Sequence, residues 1–387
     1  MSTDLVERVR QRLAVGGTTP TPALVADAVR TEAGGVLGDA DLLAALRSLG
    51  DEFAGAGALE PLLRDPDTTD VLVTGPAEVW LDGGSGLRRT DIRFPGEDSV
   101  RRLAQRLALA AGRRLDDAQP YVDAWLPGAG PHGRVRLHAV LPPLAPDGTC
   151  LSLRVLRPAT HNLTALRALG TFDDRTATLL TTIVRSRLAF LVVGGTGTGK
   201  TTLLAALLGC VPHDERIICV EDAGELQPSH PQVVRLVARP ANVEGVGEIT
   251  VRDLVRQALR MRPDRLVVGE VRGAEVCELL AALNTGHDGG AGTLHANSPA
   301  EVPARLEALA ALGGMPRPAL HSQLAAALQV VLHVRRRGGR RVLTEIGVVT
   351  RTSDGVRVLP AWRNSIRHSG WPTLNALLNR TNGVPPC

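Results

Sequence analysis

The chain has 387 residues, of which 44% are hydrophobic and only 2% aromatic, and it carries a formal net charge of +4. This length allows two or three domains with real cores, built mainly from Leu, Val and Ala. The modest charge is spread along the chain, so it permits contact with anionic surfaces but does not by itself indicate a nucleic-acid-binding protein.

The cysteines and the first residues indicate a compartment. Five cysteines are scattered along the chain without a CxxC pair, which is more typical of buried thiols in a reducing cytosol than of disulfides or a zinc site. The opening MSTDLVERVRQRL is charged and amphipathic and lacks the apolar core of a signal peptide. Since no apolar run approaches the roughly 18 residues of a membrane helix, we expect a cytoplasmic protein.

The residue pattern changes at about residue 55, from helical spacing to short strands. Residues 1–55 are predicted to be an extension of amphipathic helices, interrupted by Gly/Pro/Thr patches such as VGGTTPTP. Residues 56–160 are predicted to form a small α/β domain, in which strands accompany a helix over 100–114 that carries arginines on one face. The strand patterns are DVLVTG, EVWLD, LRRTDIRF, RVRLHAVLPP and TCLSLRVLRP.

The second half of the chain has a different pattern. Residues 161–187 are predicted to be a helical linker, and residues 188–350 a domain in which apolar strands alternate with helices, as in a mostly parallel sheet. The basic segment HVRRRGGRR, 333–341, is predicted to be the turn of a hairpin. Residues 351–387 are expected to be a tail that is weakly packed after about residue 360.

One segment matches a phosphate-binding motif. LVVGGTGTGKTT satisfies the pattern G-x-x-x-x-G-K-[ST] between an apolar strand and a helix, so backbone N–H groups and the helix dipole can point at phosphates. Lys200 is expected to reach the β- and γ-phosphates, and the Thr201 hydroxyl to bind Mg²⁺. The predicted nucleotide-binding residues are Gly194, Gly195, Thr196, Gly197, Thr198, Gly199, Lys200, Thr201 and Thr202.

Lys200 is the only lysine of the chain, and all other members of its 44 Lys and Arg residues are arginines. An ammonium is a compact point charge that fits a tight phosphate cradle, whereas a guanidinium is a broad planar fork. In a chain that otherwise uses arginine everywhere, a single lysine at this position indicates that arginine does not suffice there.

Acidic residues follow two further apolar strands. RIICVEDAGEL runs into Glu221, Asp222 and Glu225, and RPDRLVVGEVRG leads to Glu270. The carboxyl ends of strands in an open parallel sheet face the ligand crevice, so these carboxylates are expected beside the γ-phosphate, where they can orient water or hold Mg²⁺. Acids at strand ends also cap the helices that follow, and this alternative stays open for each of them.

His295 stands at the tip of another short strand, in GTLHANSP. This strand follows the one that ends at Glu270, which is where a residue that senses the γ-phosphate would lie. A single histidine is more often an ordinary surface or core residue. Position alone therefore leaves both interpretations open.

Taken in order, these pieces resemble the type II and type IV secretion ATPases, and most closely the tad (Flp) pilus assembly ATPases. GGTGTGKT corresponds to the P-loop of that family, VEDAGEL to its Asp box, LVVGEVRG to its Walker B motif and TLHAN to its His box. LEPLLRDPDTTDVLVTGPAEVWL and HAVLPPLAPDGTCLSLRVL, nearer the amino terminus, resemble the same branch. The likeness covers roughly residues 55–350.

The resemblance implies an α/β fold in which a RecA-like P-loop ATPase domain is preceded by a smaller α/β N-terminal domain. It implies an ATP-hydrolysing motor, using ATP and Mg²⁺, that powers Flp/tad-type pilus assembly or related type II/IV protein secretion. The implied assembly is a homo-hexameric ring, cytoplasmic and peripheral at the inner face of the plasma membrane, that acts on an inner-membrane platform protein.

The resemblance also implies roles for individual residues. Glu225 corresponds to the glutamate that activates water, Glu270 to the Walker B glutamate, which would hold Mg²⁺ through water, and His295 to a sensor of the nucleotide state. Family members place arginines of the N-terminal domain against the nucleotide, and Arg136 and Arg154 are the matching candidates.

The Asp box departs from the family pattern at one position. Gly224 precedes Glu225 in the sequence AGE, where relatives more often have a bulkier residue. Because glycine loosens the backbone, this departure bears on the role assigned to Glu225.

The sequence is less consistent with three other functions. The segment 333–341 would suit a DNA-translocating ATPase of a conjugation system, but a solvated turn explains it more simply, and no aromatic residues interleave with the charge as single-strand binding favours. The sequence therefore does not favour nucleic acid as a partner. The full acidic set argues against a non-hydrolysing scaffold, and the absence of an N-K-x-D motif argues against a Ras-like GTPase.

We predict that Lys200→Arg lowers ATP turnover by orders of magnitude while the protein stays folded, because the charge is kept but its shape no longer fits the phosphate cradle. Steady-state phosphate release together with circular dichroism measures both effects. Turnover near that of the unmodified protein would show that the lone lysine has no special role.

Overall fold

The computed structural model describes most of the chain from residue 55 onward. It divides into two compact units, Met1–Arg157 and Pro158–Cys387. The described residues are 8–9, 12, 27–29, 31–32, 55–84, 86–126, 134–156, 161–239, 241 and 245–381. Most of the predicted helical extension, 1–55, therefore lies outside the described residues, and the few described positions before residue 33 are helical.

The first unit is built on an antiparallel sheet whose strand order is β3-β2-β1-β6-β5-β4. The helices are α1, Glu60–Arg64, and α2, Glu97–Ala110. The strands are β1 Asp70–Thr74, β2 Val79–Asp82, β3 Leu87–Arg89, β4 Tyr121–Leu126, β5 Arg134–Val140 and β6 Cys150–Leu156.

Alternation along the strands explains how this unit packs. In β5, Val135, Leu137 and Ala139 are buried while the residues between them face away, so one face of the sheet is apolar. Helix α2 covers that face with buried residues such as Val100 and Leu107, and its arginines lie on the more exposed side. The predicted helix with one arginine face is confirmed, whereas β4 was not predicted.

The second unit is built on a sheet of nine described strands in the order β15-β14-β13-β12-β7-β11-β10-β8-β9. The six strands β12, β7, β11, β10, β8 and β9 are parallel to one another. Strands β13, β14 and β15 continue the sheet beyond β12 in antiparallel pairs. The strands are β7 Phe190–Val193, β8 Ile217–Glu221, β9 Val233–Val237, β10 Arg265–Val271, β11 Ala291–Leu294, β12 Val330–Arg337, β13 Arg340–Thr352, β14 Gly355–Arg363 and β15 Ile366–Arg367.

Helices cover both faces of this sheet. One face packs against α3 Leu163–Ala168, α4 Asp174–Arg185, α5 Lys200–Leu208 and α10 Trp371–Thr381. The other packs against α6 Val251–Ala258, α7 Glu275–Leu283, α8 Val302–Leu312 and α9 Arg317–Ala327. The predicted α/β fold with a mostly parallel sheet is confirmed, and strands buried on both faces explain why β7 and β8 are continuous apolar runs.

Parallel pairing brings the ends of four strands to one edge of the sheet. Val193, the last residue of β7, pairs with Leu294, the last residue of β11, which in turn pairs with Val271 of β10. On the other side of β10, Val268 pairs with Val220 of β8. The P-loop, His295, Glu270 and the acids after β8 therefore arise at the same edge.

The segment predicted to be a linker, 161–187, belongs to the core. Its helices α3 and α4 bury Leu166, Leu180 and Ile183 in the apolar layer that also contains α5. Each helix is capped by a side chain, Asn162 for α3 and Asp173 for α4, which accepts a hydrogen bond from the third residue of its helix.

The expectation of a weakly packed tail is wrong. Strand β14 extends the sheet, and Leu374 and Leu378 of α10 are buried in the core, at 0% and 6% exposure. The rings of Trp362 and Trp371 lie 5.6 Å apart and join β14 to α10. The apolar pattern is sparse because α10 needs only a few large side chains to cover the end of the sheet.

In the part of the chain that the structure describes, none of the helices combines the length and the apolar character needed to cross a membrane.

We predict that Leu374→Ala destabilises the second unit by about 2–5 kcal/mol, because it leaves a cavity beneath α10. The exposed neighbour Asn375→Ala provides the control and should change the free energy of unfolding by less than about 0.5 kcal/mol. Urea denaturation compares the two variants. Equal, small effects would mean that α10 is not part of the core.

Candidate functional site

The loop between β7 and α5 has a backbone that only glycine can supply at several positions. Gly194, Gly197 and Gly199 have φ angles of +155°, +71° and +91°. A Cβ on Gly194 would collide with the carbonyl oxygen of Val334. The glycines thus allow the loop to curl tightly ahead of α5, with its backbone N–H groups at the amino end of that helix.

Lys200 is the first residue of α5 and is 7% exposed. Its Nζ donates to the carbonyl oxygens of Gly194, at 3.1 Å, and Gly195, at 2.9 Å, so the ammonium is held inside the curl of the loop. Burial lowers the pKa of Lys200, while the charges of Glu270 and Glu225 oppose this shift.

The remaining predicted residues lie in the same loop and in the first turn of the helix that follows it. Thr198 donates from its hydroxyl to Gly195 at 2.9 Å and closes the loop, while Thr196 is exposed. Thr201 and Thr202 lie in the first turn of α5. The nine residues predicted from the motif therefore form one continuous structure.

Glu270, His295 and Lys200 come together at the sheet edge. Nε2 of His295 lies 2.7 Å from Oε1 of Glu270 and 3.4 Å from Nζ of Lys200. A carboxylate oxygen can only accept, so Nε2 carries a proton and donates it to Glu270. Burial and the charge of Lys200 lower the pKa of His295 against the opposing effect of Glu270, which favours the neutral imidazole.

Glu221 has a structural role that the sequence did not distinguish. It ends β8 at 4% exposure, and its Oε1 accepts from the N–H groups of Glu225 and Leu226, both at 2.9 Å. Burial raises the pKa of Glu221, and these two N–H groups oppose the shift. A Cβ on Gly269 would lie 2.6 Å from Cγ of Glu221, so the small residue on β10 makes room for this side chain. Glu221 therefore fixes the backbone from which Glu225 projects.

The backbone conformation explains why a glycine precedes Glu225. Gly224 has a φ of +59°, in the left-handed region where side chains with a Cβ are strained. The turn that brings Glu225 and Leu226 onto the Glu221 carboxylate passes through this residue. The departure from the usual Asp box is thus part of the local geometry, and the charge of Glu225 acts on Lys200.

Arg272 is a site residue that the sequence analysis missed. Its guanidinium lies 2.6 Å from Asp222 and 4.0 Å from Glu270, so it links the acids that follow β8 and β10. The sequence could have indicated this residue, because Arg272 stands two positions after Glu270 and alternate residues of an extended segment lie on the same face. The Arg272 charge partly neutralises two carboxylates that would otherwise repel each other.

Arg136 and Arg154 lie in the first unit, on neighbouring strands, and are directly opposite each other in the register. Arg136 makes a bidentate ion pair with Asp123 at 2.8 and 2.5 Å, and Arg154 contacts Asp70 at 2.8 Å. Each guanidinium is oriented by a carboxylate of its own sheet. The contact of these arginines with a nucleotide stays a prediction.

The donors at this edge fit a magnesium ion. Thr201 offers a hydroxyl and Glu270 a carboxylate, and Mg²⁺ usually takes one or two such protein ligands together with water and phosphate oxygens. Among the described residues, no group of three His, Cys, Asp or Glu side chains could hold a metal ion alone. The hydroxyl and the carboxylate are donors of the kind that Mg²⁺ takes together with phosphate oxygens.

Comparisons with known proteins show the family of this chain. The family model of the type II/IV secretion system proteins matches residues 52–345. The protein named "Putative conjugal transfer protein Rv3659c" of Mycobacterium tuberculosis is 68% identical over 329 residues, which cover 84% of this chain and 94% of that protein. The type IV secretion system protein PtlH of Bordetella pertussis is 31% identical over 316 residues, 73% of this chain and 90% of that protein.

Solved structures agree on the fold. The ATPase DotB of Legionella pneumophila gives a TM-score of 0.53 at 18% identity and covers 84% of this chain and 85% of its own. The pilus retraction motor PilT with bound ADP gives 0.54 at 21% identity and covers 83% of this chain and 85% of its own. The fold predicted from the sequence, a RecA-like domain preceded by a smaller α/β domain, is thereby confirmed.

We predict that substitutions of Glu225 and Glu270 cause different defects. Glu225→Gln removes the proton acceptor, which typically costs about 10²–10⁴ in rate, but leaves Mg²⁺-dependent ATP binding intact. Glu270→Gln removes charge beside the metal ligands and should weaken the Mg²⁺ dependence of nucleotide binding.

Nucleotide affinity at varied Mg²⁺, combined with single-turnover hydrolysis, measures both defects. If Glu225→Gln loses Mg²⁺-dependent binding while Glu270→Gln retains unhydrolysed ATP, the roles of the two residues must be exchanged.

Proposed function

The chain belongs to the family of type II/IV secretion system proteins and is an ATPase, and on this premise we propose that it powers Flp/tad-type pilus assembly or a related secretion machine. The observation that carries the proposal is the convergence on Lys200: His295 and Glu270 are within hydrogen-bonding range of one another beside its ammonium, and the charge of Glu225 reaches it. This is the charge arrangement that phosphoryl transfer requires.

In the proposed reaction, Lys200 exchanges its two carbonyl partners for oxygens of the β- and γ-phosphates. The loop carbonyls of Gly194 and Gly195 hold the ammonium in position beforehand, so little reorganisation accompanies binding. Bound at Thr201 and Glu270, a Mg²⁺ ion would neutralise charge on the phosphates.

Glu225 is the proposed proton acceptor for the attacking water. Its backbone N–H is fixed by the buried Glu221, which supports a constant position of the carboxylate relative to Lys200. Glu270 is the less suitable base, because its Oε1 already accepts from His295 and its Oε2 faces Arg272.

His295 is the proposed sensor of the nucleotide. A neutral imidazole between a carboxylate and an ammonium can change partner when a phosphate with negative charge arrives beside Lys200. If His295 changes its contact, the segment that follows β11 moves with it. This segment leads into α8, so a change at the γ-phosphate would be transmitted to that helix.

The proposal includes a homo-hexameric ring in which Arg136 and Arg154 contact a nucleotide. The fixed orientation of both guanidinium groups by Asp123 and Asp70 supports such a role, because a pre-oriented arginine loses little conformational freedom on binding. The ring would lie in the cytoplasm, at the inner face of the plasma membrane, and pass its motion to a platform protein in that membrane.

A DNA-translocating ATPase of a conjugation system is the second candidate. Two observations favour it: the relative at 68% identity is named as a conjugal transfer protein, and five arginines between residues 335 and 341 are exposed. The described surroundings of those arginines contain no aromatic side chain that contacts them, so the stacking typical of single-strand binding is not evident there.

We predict that turnover per chain rises steeply with protein concentration, because a ring in which one subunit completes the site of another is active only when assembled. Specific activity across a dilution series, with mass by light scattering, tests this. A fully active monomer would contradict the ring.

Addition of single- and double-stranded DNA to the same assay separates the two candidate functions. We expect no stimulation of turnover by either nucleic acid. Strong stimulation would favour the conjugation motor over the pilus or secretion motor.

A further inference from the structure

The basic hairpin predicted from the sequence lies beside the P-loop. Strand β12 pairs in parallel with β7 as far as His333, which is opposite Val193. Beyond that point β12 pairs with β13, and the carbonyl oxygen of Val334 touches Gly194. We call residues 335–341 the arginine hairpin, with Arg335, Arg336, Arg337, Arg340 and Arg341 as its charged residues.

Two of these arginines face the amino end of α5. Arg336 and Arg341 are directly opposite each other in the register. Alternation along each strand puts them on the face of Val334 and Leu343, which are buried in the layer that contains α5. Consistent with this, a Cβ on Gly199 would lie 2.9 Å from Cδ and 3.6 Å from Nε of Arg341. The Arg341 side chain therefore crosses the residue that precedes Lys200.

The positive charge of the arginine hairpin is not neutralised within the described residues. All five arginines are exposed, and their backbones pair in the hairpin, but none of their guanidinium groups makes an ion pair or a hydrogen bond in the part of the chain that the structure describes. Arg341 adds a charge to an edge that already carries Lys200 and the amino end of α5. Such a concentration of cationic groups and N–H donors favours a phosphate ligand.

The strand order indicates which part of a nucleotide Arg341 would meet. The reacting groups Glu225, Glu270 and His295 follow β8, β10 and β11, which all lie on one side of β7. The arginine hairpin joins the end of β12 to the start of β13, and β12 lies on the other side of β7. With the γ-phosphate directed at the reacting groups, the opposite end of the nucleotide extends toward the hairpin.

We propose that Arg341 binds the α-phosphate and ribose end of the nucleotide held by the P-loop of the same chain. This inference rests on the proposed ATP site at Lys200. A guanidinium can donate two parallel hydrogen bonds to a phosphate, and its flat surface can lie against a base. Arg341 is thus a binding residue for the part of the ligand that ATP and ADP share, and it does not contact the reacting atoms.

The test compares three variants with the unmodified protein: Arg341→Ala, Arg341→Lys and the adjacent Arg340→Ala. Arg340 has the same charge and strand, but its side chain points to the other face of the hairpin. Binding of fluorescent ADP and of fluorescent ATP is measured with steady-state hydrolysis, and Lys200→Ala serves as the control for the P-loop itself. Circular dichroism checks the fold of each variant.

We expect Arg341→Ala to weaken ADP and ATP binding by the same factor, about tenfold to hundredfold. KM should rise by a similar factor with kcat nearly unchanged, Arg341→Lys should recover part of the affinity, and Arg340→Ala should bind as the unmodified protein does.

Three results would overturn the inference. Arg341→Ala could bind both nucleotides like Arg340→Ala, or could lose affinity for ATP alone, which would assign the contact to the γ-phosphate. It could also lose affinity for DNA while nucleotide binding is unchanged, which would make the hairpin a nucleic-acid surface. Failure of the proposed function is distinguishable, since the unmodified protein would then bind nucleotide no better than Lys200→Ala.

Discussion

The parallel register of β7, β11, β10 and β8 is the constraint on which the site depends. Parallel strands that are buried on both faces end together, so residues that are far apart in the chain arise within a few ångströms of one edge. Lys200 and His295 are 95 positions apart, yet their nitrogens are 3.4 Å apart. Functional groups lie at or within a few residues of the end of each of these strands, so none of them needs a long loop to reach the others.

Buried charge at this edge is stabilised by specific partners, although Oε2 of Glu221 has no hydrogen-bond partner among the described residues. Lys200 is held by two carbonyl oxygens, His295 donates to Glu270, and Glu221 accepts from two N–H groups. These contacts compensate part of the cost of removing ionic groups from water.

Glycines let neighbouring parts of the site approach each other. Gly269 makes room for the Glu221 side chain, Gly224 lets the following backbone turn onto that carboxylate, and Gly199 lets Arg341 lie across the start of α5. A Cβ on Gly269 or Gly199 would displace the side chain of Glu221 or Arg341, and a Cβ on Gly224 would strain its left-handed backbone. The site therefore depends on glycines at these positions as well as on the chemistry of its charged side chains.

The sequence by itself determined the elements whose signals are local: the apolar strands β7, β8, β10 and β11, and the P-loop with Lys200 between a strand and a helix. Position alone left open whether Glu270 and His295 belong to the site, and it is the parallel register that brings them to Lys200. Position after the same strand did not separate Glu221 from Glu225, and only the resemblance pointed to Glu225. The structure distinguishes them by the packing of Glu221 against Gly269 and by its hydrogen bonds to backbone N–H groups. The sequence also misjudged α10, whose few apolar residues matter because β14 extends the sheet beneath them. Tertiary structure decided these points, and the position of Arg341 at Gly199, because each depends on contacts between residues distant in the chain, which no local pattern records.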